Sequence, residues 1–151
     1  MSRVQLALNV PDLDEAIAFY SKLFASEPNK RHDGYANFAI ADPPLKLVLF
    51  ENPDATSRLN HLGVEVESTD EVTTHRSRLT GEGLAPVDES GTCCFATQDK
   101  VWIDGPDGAW EIYTVLEDSD SFGTSSAHAD DFGARAAACC EAAPESAARC
   151  C

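Results

Sequence analysis

A chain of 151 residues, 43% of them hydrophobic, is long enough to bury a core of its own without disulfides. Eleven Lys and Arg against 26 Asp and Glu leave a net charge of −15, which repels phosphate backbones and anionic membrane surfaces and sets nucleic acid and membrane aside as partners. No apolar run suffices to span a bilayer, and Met1 to Leu8 shows neither an h-region nor a cleavage site, so the expected compartment is the reducing cytoplasm, with the cysteines free for metal or redox chemistry.

The first segment, Val4-Gln-Leu-Ala-Leu-Asn-Val10, alternates apolar and polar residues and reads as a strand. Asp12 followed by Glu15 has the form of a capping box, and Leu13, Ala16, Ile17, Tyr20 and Phe24 then recur at helical spacing as a core face. A polar connection carrying His32 leads to strand-like runs from Tyr35 to Ile40 and from Leu45 to Phe50.

The second half repeats this order. Displacing the chain against itself by 56 positions lays Asn60-His-Leu-Gly-Val-Glu-Val66 over the first strand and the cap Ser68 to Glu71 over Asp12 to Glu15. A more polar helix follows, with His75 on its face, and then apolar runs from Phe95 to Ile103 and from Ala109 to Leu116. The expected fold is α+β: two paired modules, about residues 1–56 and 57–117, whose sheets pack together and enclose a cleft lined from both halves. From residue 118 to 151 the composition turns to Asp, Ser, Gly and Ala, with a marginal helix at most between Ala134 and Ala143, and is read as a flexible tail that includes His128.

Six cysteines occur as three adjacent pairs, Cys93-Cys94, Cys139-Cys140 and Cys150-Cys151, and only the first lies in the folded part. Two neighbouring thiolates suit a soft, thiophilic atom such as copper(I), cadmium or trivalent arsenic. The plain alternative is a pair of small buried hydrophobes whose side chains, as strand neighbours, point to opposite faces.

The repeat also sets Gln5 opposite His61, both on the polar-facing side of a first strand, and Lys46 opposite Glu111. A glutamate on a strand between an indole and an isoleucine is costly unless it is paired or coordinated. Singly, His61 reads as a hydrogen-bonded sheet histidine, Gln5 as a solvated strand residue and Glu111 as an edge charge. Together they form an N/O ligand set with open positions, close to the two-histidine, one-carboxylate face of non-haem Fe(II) oxygenases, with Gln in place of one His. Phe95 is read as strand packing, with the stretch onward to Lys100 shaping the pocket.

Paired modules with ligands on these strands resemble the vicinal oxygen chelate superfamily of glyoxalases and extradiol dioxygenases. More closely, Val4-Gln-Leu-Ala-Leu-Asn-Val10, Tyr35-Ala-Asn-Phe-Ala-Ile40, Pro43-Pro-Leu-Lys-Leu-Val-Leu49 and Thr92-Cys-Cys-Phe-Ala-Thr-Gln-Asp-Lys-Val-Trp102 resemble the organoarsenical carbon–arsenic lyases, over about residues 2–117. The resemblance implies paired βαβββ modules, Fe(II) held by Gln5, His61 and Glu111, and a trivalent organoarsenical held by Cys93 and Cys94. It further implies consumption of dioxygen and cleavage of methyl or aryl arsenicals to arsenite. Cadmium-induced proteins share the fold. Two other readings stay open: a glyoxalase-like isomerase, and a cadmium- or arsenite-sequestering protein in which Cys139, Cys140, Cys150 and Cys151 act as accessory thiols. A homodimer is admitted, with no residue assigned to its interface.

Overall fold

The computed structural model describes residues 2–123. Each helix begins where the sequence supplies a cap. Asp12, in extended backbone, accepts from the Glu15 amide at 2.8 Å, and Glu51 Oε2 accepts from the Leu13 amide at 2.8 Å, so two otherwise orphaned donors are satisfied at the start of α1 (Leu13–Phe24). Ser68 does the same for the Glu71 amide at the start of α2 (Thr69–Gly81). Leu13 and Ile17 are buried, with Ala16, Tyr20 and Phe24 packed around them, the face expected from the spacing.

The strands are β1 (Arg3–Val10), β2 (Lys30–His32), β3 (Tyr35–Ile40), β4 (Leu45–Glu51), β5 (Leu59–Glu65), β6 (Val87–Cys93), β7 (Ala96–Gly105) and β8 (Gly108–Asp118). Each module is therefore βαβββ. They form one eight-stranded sheet in the order β2-β3-β4-β1-β5-β8-β7-β6. Within each module the first strand lies parallel to the last (β1 to β4, β5 to β8), and the modules join through the antiparallel pair β1–β5. This corrects the expectation of two sheets packed face to face: backbone hydrogen bonds make the joint, and a single sheet curls around the cleft.

Strand alternation gives the sheet two unlike faces. On the outer face, α1 covers Phe38, Leu47 and Leu49, and α2 covers Val101, Ile103 and Ile112. On the inner face lie Gln5, Ala7 and Asn9 of β1, Lys46, Val48 and Phe50 of β4, and Lys100 and Trp102 of β7. A bulge in the β7–β8 ladder skips Leu116 and returns Asp118 to the inner side. There Lys30, on edge strand β2, bonds to Asp118 and donates to the Phe95 carbonyl at 3.1 Å, tying the two ends of the curled sheet together.

Pairing also continues past Glu117. Gly123 bridges to Cys93, and Phe122 packs with Tyr35, Phe50 and Phe95. The first residues assigned to the tail thus belong to the inner face. The expected Ala134–Ala143 helix, His128 and the four tail cysteines lie outside the described residues. Among the described residues no helix is long and apolar enough to cross a membrane.

Candidate metal and thiol site

Gln5, His61 and Glu111 meet on the inner face, each from a different central strand. The register explains the approach. Gln5 is paired with Gly63 across β1–β5, and Gly63 with Glu111 across β5–β8, so the two side chains flank a position that has none. A Cβ on Gly63 would stand 2.9 Å from Glu111 Cγ and 3.3 Å from Gln5 Cβ. Across that gap Gln5 Nε2 donates to Glu111 Oε1 at 2.5 Å. His61, on the same face of β5, brings Nε2 to 3.0 Å from Gln5 Nε2 and 3.2 Å from Glu111 Oε1.

A chain of hydrogen bonds fixes the imidazole tautomer. Asn9 Nδ2 donates to the Ser57 backbone carbonyl at 3.0 Å, so Asn9 Oδ1 is free to accept from Asn60 Nδ2, also at 3.0 Å. Asn60 Oδ1 then faces His61 Nδ1 at 2.7 Å and can only accept. Nδ1 therefore carries a proton, and Nε2 is the ring nitrogen turned toward Gln5 and Glu111.

Glu111 is 3% exposed, and Lys100 Nζ donates to its Oε2 at 2.7 Å. Burial, the largest influence, would alone raise the carboxyl, but the Lys100 charge, the contact with His61 and the Lys100 hydrogen bond together outweigh it and hold the group well below the usual carboxylate range. The sequence left Glu111 in need of a partner or a metal, and the structure supplies Lys100 on one oxygen while Oε1 faces His61. Tyr113 completes the set by donating to Gln5 Oε1 at 2.5 Å.

Among the described residues no three His, Cys, Asp or Glu side chains cluster as metal ligands, and the third donor available beside His61 and Glu111 is the Gln5 carboxamide. The donor chemistry fits. The Nε2 edge of an imidazole and an ionised carboxylate oxygen face each other, and two ligands about 2.1 Å from one cation at a right angle are about 3 Å apart, matching the 3.2 Å separation of His61 and Glu111. Binding through the amide oxygen exchanges the two ends of the Gln5 carboxamide, and a phenol hydroxyl such as that of Tyr113 can accept as well as donate.

The cysteine pair occupies the β6–β7 turn. Cys93 pairs with Ala96, leaving Cys94 and Phe95 as a two-residue loop with φ of 56° and 62°, the left-handed backbone of a type I′ hairpin turn. That conformation overturns the opposite-faces reading: Cys94 is no longer a strand residue, and its sulfur lies 3.1 Å from that of Cys93. The Cys94 thiol donating to Cys93 lowers the Cys93 pKa. The same bond and desolvation raise that of Cys94.

His32 is not a loop residue, as its polar surroundings suggested, but the end of β2, and its ring stacks on Phe95 at 3.6 Å between centroids. Phe95 is correspondingly a turn residue rather than strand packing. Ligand set and thiols line one cavity of about 210 Å³, whose thiol end is walled by aromatic side chains. Sequence reasoning missed Asn60, Gly63 and Tyr113. Only the lysine in the inward row of β7 carried a signal, since a buried ammonium requires a counter-charge.

Residues 3–111 match the model of the Glyoxalase/Bleomycin resistance protein/Dioxygenase superfamily. The chain belongs to that superfamily. Superfamily members among solved structures share its fold at low identity. The Mn(II)-bound glyoxalase from Novosphingobium aromaticivorans superposes with a TM-score of 0.54 at 18% identity, over 79% of this chain and 40% of that one. Homoprotocatechuate 2,3-dioxygenase from Arthrobacter globiformis gives 0.53 at 16%, over 80% and 37%. Sequence similarity is much higher to the cadmium-induced protein CadI of Mycobacterium tuberculosis, 62% identical over 143 residues, covering 93% of this chain and 94% of that protein. A trivalent organoarsenical cleaving enzyme of Thermomonospora curvata is 57% identical over 144 residues, covering 93% and 89%.

Proposed function

We propose that this protein uses Fe(II) and dioxygen to cleave the carbon–arsenic bond of trivalent organoarsenicals, methyl or aryl, to inorganic arsenite. The observation that carries the reading is the shared cavity: two sulfurs 3.1 Å apart open onto the same space as the hard N/O donors of Gln5, His61 and Glu111. Thiolates select arsenic, and the mixed N/O set selects a harder divalent cation, so one cavity holds both reactants. Iron bound by Gln5, His61 and Glu111 supplies dioxygen activation. The similarity to a trivalent organoarsenical cleaving enzyme supports the substrate.

The chain's own residues then have separate tasks. Cys93 and Cys94 each replace a hydroxyl on arsenic(III), releasing water, and the chelate fixes the attached carbon toward the ligand set, an orientation effect. Asn60 keeps His61 Nε2 open, and Lys100 keeps Glu111 ionised. The aromatic wall around the turn excludes water from the thiol end. An apolar cavity of about 150 Å³ accepts benzene, so the space of about 210 Å³ admits a phenyl as well as a methyl substituent. The tail thiols Cys139, Cys140, Cys150 and Cys151 fit accessory capture by tethering, and free thiols fit a cytoplasmic setting.

The test is oxygen uptake and arsenite release by the Fe(II)-loaded, reduced protein on addition of phenylarsonous acid. Both are expected, and both are lost in His61→Ala. Tight thiol-dependent binding of the arsenical without oxygen uptake in the iron-loaded protein would overturn the reading. The 62% identity to a cadmium-induced protein favours a second reading, soft-cation sequestration by the same thiol pair. That reading predicts cadmium binding lost in Cys93→Ser and no consumption of dioxygen. A glyoxalase-type isomerase gives the thiols no task.

A further inference from the structure

Gln98 lies on β7 between the two halves of the site. The inward-facing residues of β7 run Ala96, Gln98, Lys100, Trp102. Ala96 pairs with Cys93 at the thiol turn, and Lys100 holds Glu111. Alternate strand residues are about 6.6 Å apart, so Gln98 occupies the middle of the path from the sulfurs to the ligand set. Its side chain is oriented: Nε2 donates to the Cys93 carbonyl at 3.3 Å, which turns Oε1 the other way. Gln98 is 7% exposed and lines the cavity, yet Oε1 has no hydrogen-bond partner. A buried carbonyl oxygen left unmatched is costly. Gln98 lines the space through which the organic group of a thiol-bound arsenical must extend.

We infer that Gln98 Oε1 is a specificity position that accepts a hydrogen bond from an N–H or O–H group on the organic part of the substrate. The site accordingly selects aryl arsenicals bearing an amino or hydroxyl substituent over the unsubstituted aryl. The inference rests on the arsenical reading above. Arsenic bound to both thiols has exchanged its hydroxyls for sulfur, so the donor has to come from the ring. One matched hydrogen bond in a buried site is worth up to about tenfold in affinity.

The test uses the reduced, metal-free full-length protein, with phenylarsonous acid and its 2-, 3- and 4-amino derivatives as probes. Binding is followed through the fluorescence of Trp102, which lines the cavity. At least one amino isomer is expected to bind about tenfold more tightly than the parent. In Gln98→Met, which keeps the volume and removes the acceptor, that preference falls below about twofold while the parent's affinity stays within about twofold. Unchanged affinity for the parent also reports that the fold is intact, and Gln98→Leu provides a second acceptor-free variant. Equal affinity for parent and all three isomers in the unaltered protein, or a preference that survives both substitutions, overturns the inference alone. Failure of the parent to bind in a manner abolished by Cys93→Ser overturns the arsenical reading, and the inference with it.

Discussion

The side-chain oxygen of Asn60 stands 2.7 Å from Nδ1 of His61, and that contact decides which nitrogen of the ring faces the cavity. A neighbour in sequence thereby acts as the orienting partner of the proposed metal ligand, and its own orientation is traced through Asn9 to the Ser57 backbone carbonyl.

Asn60→Ala leaves the ring free to change tautomer and to rotate. Divalent metal affinity should fall about 10- to 100-fold, the usual effect of losing such a partner, with the thermal midpoint little changed. Fe(II) or Co(II) titration of the purified variant measures it, and unaltered affinity would remove Asn60 from the site.

Gly63→Ala tests the gap between two ligands. The added methyl meets Glu111 Cγ at 2.9 Å, so the two side chains must part. Overpacking of this kind costs about 1–3 kcal/mol. We expect a lower melting temperature together with loss of metal binding, while thiol-dependent arsenical binding persists. A variant that keeps full metal affinity would show that Gln5 and Glu111 do not act on the same ion.

The thiols should titrate apart. Cys93 is lowered and Cys94 raised, so as pH increases one thiolate forms below the ordinary cysteine range and the second only above it. Arsenical capture should therefore persist to lower pH than a free dithiol allows. Cys94→Ala removes the donor and moves the Cys93 titration upward, whereas Cys94→Ser, which keeps a donor, moves it less. Thiolate absorbance against pH reads both, and a Cys93 titration that does not move in Cys94→Ala contradicts the assignment.

The module repeat was legible because its signals are local: alternation in Val4–Val10 and Asn60–Val66, and a cap before each helix. Those same strands carried Gln5 and His61, and Glu111 lay in the apolar run from Ala109 to Leu116. What escaped depends on neighbours that sequence does not list. The strand β2 is three polar residues long, and β6, as an edge strand, reads Val-Asp-Glu-Ser-Gly-Thr-Cys with little apolar pattern. The Cys94–Phe95 turn lacks the Asn-Gly signature of its backbone type, so nothing in composition marked it. Gly63 acquires its task only through pairing with two other strands.

The last of the described residues give a further prediction. Phe122 forms part of the aromatic wall, and a Cβ on Gly123 would fall 1.9 Å from the Thr92 carbonyl oxygen, on a residue whose φ is already 83°. A protein ending at Gly123 should retain turnover at saturating substrate. One ending at Glu117, or carrying Gly123→Ala, should lose arsenical affinity through an opened thiol end. Equal kinetics for both truncations would show that Phe122 is dispensable.

Gln5 is contributed by the first module, His61 and Glu111 by the second, and β1 and β5, which carry Gln5 and His61, are the strands that sew the modules together. An ion held by all three is a rivet through that seam. Its binding energy is then also cohesion between the halves, added to the β1–β5 ladder and growing with the logarithm of free metal. Chelators should loosen the joint before they loosen either helix. Amide exchange along Arg3–Val10 and Leu59–Glu65 would register that order of events.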